Sequence, residues 1–195
     1  MVKNLIIIVL VIALGVVAFK TYNPTVSNVQ KIDGPTVPTP VTKASMKLYS
    51  NSPQGFSFEY PSTLYLKEKG TTGSSPLFSL ILVDNTQENR DAIDGITSGA
   101  RDWPTSIIVD VYENKNNRTP EDWVSKETNW KVDNGKTLQV NGIQSFFFSY
   151  NTLYPGKTYI FTNNAKTYVF SVNWLDSKDQ IIKDFDMIVN SLSLK

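Results

Sequence analysis

Hydrophobic and polar residues alternate with a period of two in short stretches along the last three quarters of the chain. In the stretch Gly55–Pro61, Phe56, Phe58 and Tyr60 alternate with polar residues until a proline ends the run. This alternation is typical of a half-buried β-strand whose aromatic side chains point inward. Further short runs rich in β-branched and aromatic residues also predict strands. They are Leu77–Val83, Ser106–Tyr112, Thr137–Asn141, Ile143–Tyr150, Thr158–Thr162 and Lys166–Trp174.

Well-marked turn sequences separate the later strands. Asn141-Gly142, Tyr154-Pro155-Gly156 and Asn163-Asn164 are combinations that favour tight reversals of the backbone. Successive strands joined in this way pair side by side in opposite directions. The pattern therefore predicts an antiparallel meander.

Two stretches carry the signals of helices. Thr119 followed by a proline and two acidic residues is typical of a helix start, and it predicts a helix over Pro120–Asn129. The motif Ser177-Lys178-Asp179-Gln180 resembles a capping box that opens a second helix. An apolar stripe follows it with helical spacing: Ile181, Phe185, Ile188 and Leu192. Residues 86–98 also favour a short helix.

Several predicted strands are apolar on both faces. In one strand, Phe146, Phe148 and Tyr150 point to one side of the sheet, while Ile143 and Phe147 point to the other. A sheet with one wet face would not carry this pattern. We therefore expect an α+β fold, in which an antiparallel β-sheet of about six to seven strands is covered by helices on both faces as an α/β/α sandwich.

The order of these elements resembles the PsbP-like family, named for an extrinsic subunit of the photosynthetic oxygen-evolving complex. Gly55–Pro61 is similar to the first strand of that family, and Phe185–Leu194 resembles its last helix followed by a short terminal strand. The resemblance implies an α/β/α sandwich and a non-catalytic role in docking on, or assembling, a membrane complex. It does not imply photosynthesis.

The N-terminus carries a different signal, since residues 5–19 are fifteen uncharged and mostly apolar residues. Lys3 and Lys20 flank this run, and Tyr22 follows it, so residues 1–22 are expected to form a transmembrane helix that anchors the chain in the lipid bilayer. The alternative is a cleaved signal peptide, with Val16-Val17-Ala18 as the cleavage region. Because the N-terminal tail is so short, the C-terminal part is expected to be extracytoplasmic.

The rest of the chain divides at a change in composition. Residues 23–47 contain Pro24, Pro35, Pro38 and Pro40 among Thr, Val, Ser and Lys, without hydrophobic periodicity. This composition predicts an extended, flexible linker that spaces a domain from the bilayer. Residues 48–195 have the length of one domain.

Composition removes several classes of function. The chain contains no Cys and no His, so thiolate chemistry and the commonest general base and metal ligand are absent. Residues 51–195 carry 14 Lys and Arg against 17 Asp and Glu, so nucleic acid is not an expected partner. The acidic residues of the stretch 84–94 fit no metal-binding motif and are expected at the surface. We therefore expect no metal and no cofactor.

Aromatic residues supply the candidate sites. Trp103 lies in a predicted loop and Trp130 near the end of a predicted helix, where an exposed indole would anchor a partner; packing in the core is the alternative for each. The expected function is a membrane-anchored, extracytoplasmic, non-catalytic domain that binds or helps to assemble an envelope or membrane protein complex. A carrier or sensor of a small ligand is the alternative, followed by a carboxylate-based hydrolase.

Overall fold

The computed structural model describes residues 45–71, 76–96, 105–130, 132 and 134–195. Within these ranges the chain forms ten β-strands and three α-helices. In chain order they are β1 (Met46–Asn51), β2 (Phe56–Pro61), β3 (Leu64–Lys69), β4 (Phe78–Asp84), α1 (Gln87–Ile93), β5 (Ser106–Glu113), α2 (Pro120–Glu127), β6 (Lys136–Val140), β7 (Ile143–Asn151), β8 (Pro155–Asn163), β9 (Lys166–Asn173), α3 (Gln180–Asn190) and β10 (Ser193–Leu194).

The strands form two antiparallel sheets. The large sheet has seven strands in the order β3-β4-β5-β9-β8-β7-β6, and the small sheet has three in the order β1-β2-β10. The predicted meander is right for β6 to β9 and for the pair β4 and β5, but it does not run through the whole sheet. β5 pairs with β9 along its full length, from Ser106 opposite Asn173 to Glu113 opposite Lys166, and not with the next strand in the sequence.

The main core lies on one face of the large sheet, beneath α3 and the small sheet. The predicted apolar stripe is buried, since none of its four residues, three in α3 and Leu192 just after it, is more than 4% exposed. It packs with Phe56 and Phe58 of β2 against the side chains that β4, β5, β8 and β9 direct to this face. Burial of this much apolar and aromatic surface is the main source of stability for a chain without disulfides.

A second core lies on the opposite face, where α2 packs across β7 and β8. Trp123 and Val124 of the helix are buried against four side chains of the sheet: Phe146, Phe148, Ile160 and Val169. The alternation predicted for β7 is therefore confirmed, and helices cover the large sheet from both sides.

The helix starts were predicted with mixed success. Thr119 caps α2 as expected, since its Oγ1 accepts the backbone N–H of Asp122 at 3.2 Å. For α3 the capping box was wrong, because the cap residue is Asp179 and not Ser177. The carboxylate of Asp179 accepts backbone N–H groups of Leu175 and Asp176, at 2.9 and 3.0 Å, and this turn delays the helix until Gln180. The short helix expected within residues 86–98 is α1.

Two strands were not predicted. β1 begins at Met46, inside the end of the expected linker, and β3 lies between two of the predicted strands. None of the three described helices has the length and apolar character needed to cross a bilayer. The expected anchor, residues 1–22, lies outside the described residues, as does most of the linker.

Candidate functional site

An aromatic row on the α2 face of the large sheet forms the candidate site. Tyr112 of β5 contacts the buried Trp123 of α2, with ring centroids 5.2 Å apart. Trp123 contacts Trp130 at 6.4 Å in an edge-to-face arrangement, and Trp130 contacts Phe148 of β7 at 5.9 Å. Phe148 in turn lies 6.2 Å from Tyr150. These distances are typical of favourable aromatic pairs, so the row is a packed unit.

The end of α2 places Trp130 in this row. The hydroxyl of Thr128 donates to the carbonyl oxygen of Val124 at 2.7 Å and accepts the backbone N–H of Trp130 at 3.2 Å. Thr128 itself has an extended backbone and ends the helix. Trp130 then lies over the edge of the second core with 45% of its surface exposed. A large indole that is fixed on one side and open on the other is typical of a binding anchor.

Trp130 separates two open cavities. The first has a volume of about 420 Å³. It is lined by Tyr112, Glu113, Trp123, Glu127, Thr128, Asn129 and Trp130. The second has a volume of about 330 Å³. It is lined by Trp130, Phe148, Tyr150, Thr152, Thr158 and Ser171. We call Trp130 and these two cavities the Trp130 surface.

The first cavity has acidic groups at its rim. Glu113 pairs with Lys115 at 3.0 Å, and Glu127 accepts from Nε of Arg118 at 2.8 Å. Burial raises the pKa of Tyr112 to about 12, with a smaller contribution from the neighbouring Asp110. Tyr112 is therefore a neutral hydrogen-bonding group at physiological pH, and the carboxylates are the charged groups of this cavity.

The second cavity is lined by uncharged residues. The ring of Tyr150 crosses Gly156 of β8, and its hydroxyl donates to Oδ1 of Asn173 on β9 at 2.7 Å. Burial raises the pKa of Tyr150. The hydroxyls of Thr158 and Ser171 bond to each other at 2.9 Å. Since these polar groups satisfy one another, the second cavity offers mainly apolar and aromatic surface.

The described acidic groups with raised pKa values lie on opposite faces of the large sheet, and the charge of Asp84 contributes to the raised pKa of Asp184. Burial raises the pKa values of Asp110 and Asp184, but Asp110 lies beside Tyr112 on the α2 face, and Asp184 belongs to α3 on the opposite face. Asp94 forms an ion pair with Lys67 at 2.8 Å. Within the described ranges no group of three or more acidic side chains is placed to hold a metal ion.

The two tryptophans predicted as anchors have different outcomes. Trp130 is partly exposed, and its ring also packs on Trp123 and Phe148. Its role in binding stays a prediction. Trp103 lies outside the described residues. Tyr112 and Tyr150 do not stand out in the sequence as site residues, although each occupies a strand position that faces α2.

Solved structures of other proteins resemble this fold. The solution structure of cyanobacterial PsbP (CyanoP) from Synechocystis sp. PCC 6803 is similar, with a TM-score of 0.52 and 16% identity over 80% of this chain and 96% of that chain. A crystal structure from Bacteroides thetaiotaomicron VPI-5482 reaches only 0.46, with 10% identity over 72% of this chain and 45% of that chain. No curated protein matches.

The sequence match is more extensive than the structural likeness. The family model described as PsbP-like protein matches residues 5–194, which is nearly the whole chain. A structural likeness at 16% identity shows a shared fold alone. A family model that matches this much of the sequence shows membership of the family. The chain belongs to the PsbP-like protein family.

Proposed function

We propose that this protein is a membrane-anchored, extracytoplasmic and non-catalytic docking domain that binds or helps to assemble a membrane or envelope protein complex. The observation that carries the proposal is Trp130, an indole that is 45% exposed at the centre of a packed aromatic row. Binding energy in protein interfaces concentrates in a few such residues, with Trp, Tyr and Arg enriched among them. The PsbP-like family, a family of non-catalytic extrinsic proteins, supports the absence of catalysis.

The anchor part of the proposal rests on sequence. Residues 5–19 are uncharged and mostly apolar, and the family match begins at the first residue of this run. The segment is followed by the Pro-rich linker, which would hold the domain away from the bilayer. Mass spectrometry of the N-terminus tests this arrangement, together with protease digestion of right-side-out membrane vesicles. Digestion of the domain with the anchor retained supports the proposal, and a protected domain contradicts it.

Docking through Trp130 is tested by photo-crosslinking in the full-length chain. A photoreactive amino acid replaces Trp130 in one variant and Met187 in the control. Met187 is exposed to a similar extent, 41%, but belongs to α3 on the opposite face. We expect one membrane or envelope protein to be captured reproducibly from position 130 and not from position 187. Capture of the same proteins from both positions would contradict docking at this surface.

The small-ligand carrier is a second candidate because of the cavity volumes. The volumes of the two cavities, about 420 and 330 Å³, fall within the range of known ligand-binding sites. Both cavities are open, however, while carriers bury most of the surface of their ligand. A bound small molecule that co-purifies with the full-length protein, and is lost in Trp130→Ala, would favour this alternative over docking.

A further inference from the structure

The distribution of charge around Trp130 indicates the chemistry of its partner. The seven residues that line the first cavity include two carboxylates, Glu113 and Glu127, and no Lys or Arg. The six residues that line the second cavity are uncharged. Lys131 and Asp133, which follow Trp130 in the sequence, lie outside the described residues. The described lining of the Trp130 surface is therefore acidic at one end and apolar at the other.

We propose that the first cavity binds a cationic side chain of a protein partner, an arginine or a lysine stacked on Trp130 and paired with Glu113 or Glu127. This proposal rests on the proposed docking function and specifies its chemistry. An indole is the best aromatic acceptor for a cation, and arginine is the cation most often found on it. Arginine is also enriched, together with tryptophan, among the residues that dominate protein interfaces.

The cations already present leave both carboxylates open to a partner. Lys115 reaches Glu113, but the lysine side chain is 76% exposed and the carboxylate 51% exposed. Such an exposed pair gains little free energy, so it is exchanged readily for a better one. Arg118 donates from Nε to Oε1 of Glu127 at 2.8 Å. A carboxylate accepts several hydrogen bonds, so Glu127 can accept a further one from a partner.

Asp110 is a third acidic residue near the first cavity, although it does not line it. Tyr112 presents a neutral hydroxyl beside Asp110, whose carboxyl is half-buried on the same face of β5. On this face the side chains of Ser79 and Tyr112 donate hydrogen bonds to Asp110, and Lys69 lies near it. Burial is nevertheless the dominant influence on the pKa of Asp110 and raises it. A neutral ligand such as a saccharide would also stack on Trp130, but it would gain nothing from the negative charge. The response to charge therefore separates the two classes of ligand.

Nuclear magnetic resonance of the full-length protein in lipid nanodiscs tests the proposal. Each of the four tryptophans has one indole N–H group, and the signal that is lost in Trp130→Phe belongs to Trp130. The probe is the peptide acetyl-Gly-Leu-Arg-Gly-Ser-amide, and its control carries citrulline, which has nearly the shape of arginine without its charge. We expect the arginine peptide to shift the Trp130 signal and to bind about 2- to 5-fold more tightly than the control, with the difference shrinking at high salt.

Two glutamate variants test which carboxylate attracts the cationic side chain. Glu113→Gln should reduce the preference for arginine over citrulline, while Glu121→Gln should leave it unchanged, because Glu121 is an exposed acid of α2 that does not line either cavity. Equal binding of the two peptides, or no shift by either at millimolar concentration, would overturn the proposal. So would a shift by maltotetraose without one by arginine. Crosslinking at position 130 reports docking whatever the charge, so failure of this proposal is distinguishable from failure of the docking function.

Discussion

Replacement of Gly156 by alanine is expected to destabilise the domain and distort the second cavity. Gly156 lies opposite Tyr150 in the pairing of β7 with β8, and the tyrosine ring covers it. A β-carbon at position 156 would lie 2.4 Å from Cζ of Tyr150 and 2.5 Å from its hydroxyl oxygen. Real β-carbons essentially never come so close to another heavy atom, so the ring must move.

The cost follows from what holds the ring in place. Overpacking of this kind costs about 1–3 kcal/mol. Displacement of the ring also breaks the 2.7 Å hydrogen bond from Tyr150 to Asn173, which is worth about 0.5–1.5 kcal/mol. Alanine restricts the unfolded chain and returns about 0.4–1 kcal/mol. The steric terms are larger, and we expect a net loss of about 2 kcal/mol in the free energy of unfolding.

Urea unfolding followed by tryptophan fluorescence measures this loss. The matched control is Gly70→Ala, because a β-carbon at position 70 would meet no atom within 4 Å. We expect this control to stay within about 0.5 kcal/mol of the parent protein. The double variant Gly156→Ala with Tyr150→Ala completes a cycle, since removal of the ring removes the clash. Gly156→Ala should cost much less in the Tyr150→Ala background than in the parent.

Two results would refute this reasoning. A Gly156→Ala protein as stable as Gly70→Ala would mean that the ring is not confined above the glycine. An equal loss with and without Tyr150 would mean that the cost arises elsewhere, for example from the backbone of β8. Neither result depends on the identity of a partner, so the test concerns the architecture of the site alone.

Two further predictions test the other face of the sheet. Phe185→Ala should cost about 3–5 kcal/mol in urea unfolding, because the ring is fully buried. Met187 in the same helix is exposed, so Met187→Ala should cost less than about 1 kcal/mol. Similar losses for the two variants would contradict the assigned helix face. Burial raises the pKa of Asp184, although the hydrogen bond from Gln180 acts in the opposite direction. The folded state therefore holds the proton of Asp184 more tightly than the unfolded chain does. The contribution of Asp184 to stability falls as pH rises from about 4 through the folded pKa. Asp184→Asn should therefore gain stability relative to the parent between pH 3 and pH 7 in thermal unfolding, and a difference that does not change with pH would contradict this.

Much of the fold could be predicted because its signals are local. The stripe of α3 repeats with helical spacing, and the alternation in β7 assigns each aromatic ring to the correct face of the sheet. β1 and β3 were missed because each is an edge strand that buries little. None of the six residues of β1 is buried, and β3 ends in exposed charged residues, so neither strand has a clear alternation.

The pairing of β5 with β9 could not be predicted from local sequence. The two strands are separated by more than fifty residues, and no turn sequence joins them. The same limit applies to the site. Trp130 could be selected as an indole near a helix end, but Tyr112 and Phe148 become its neighbours only through the strand order β5-β9-β8-β7. A candidate anchor was therefore visible in the sequence, and the cavities beside it were not.

The lengths of the elements explain why a binding surface forms at this place. α2 has eight residues and is about 12 Å long, whereas β7 and β8 have nine residues each and are about 30 Å long. One short helix cannot cover strands of this length, so Phe148 and Tyr150 extend beyond Trp123 and need other cover. Trp130 supplies part of it, and the two cavities on either side of its indole are the part that remains. A partner that fills them would complete the second core, as α3 and the small sheet complete the first.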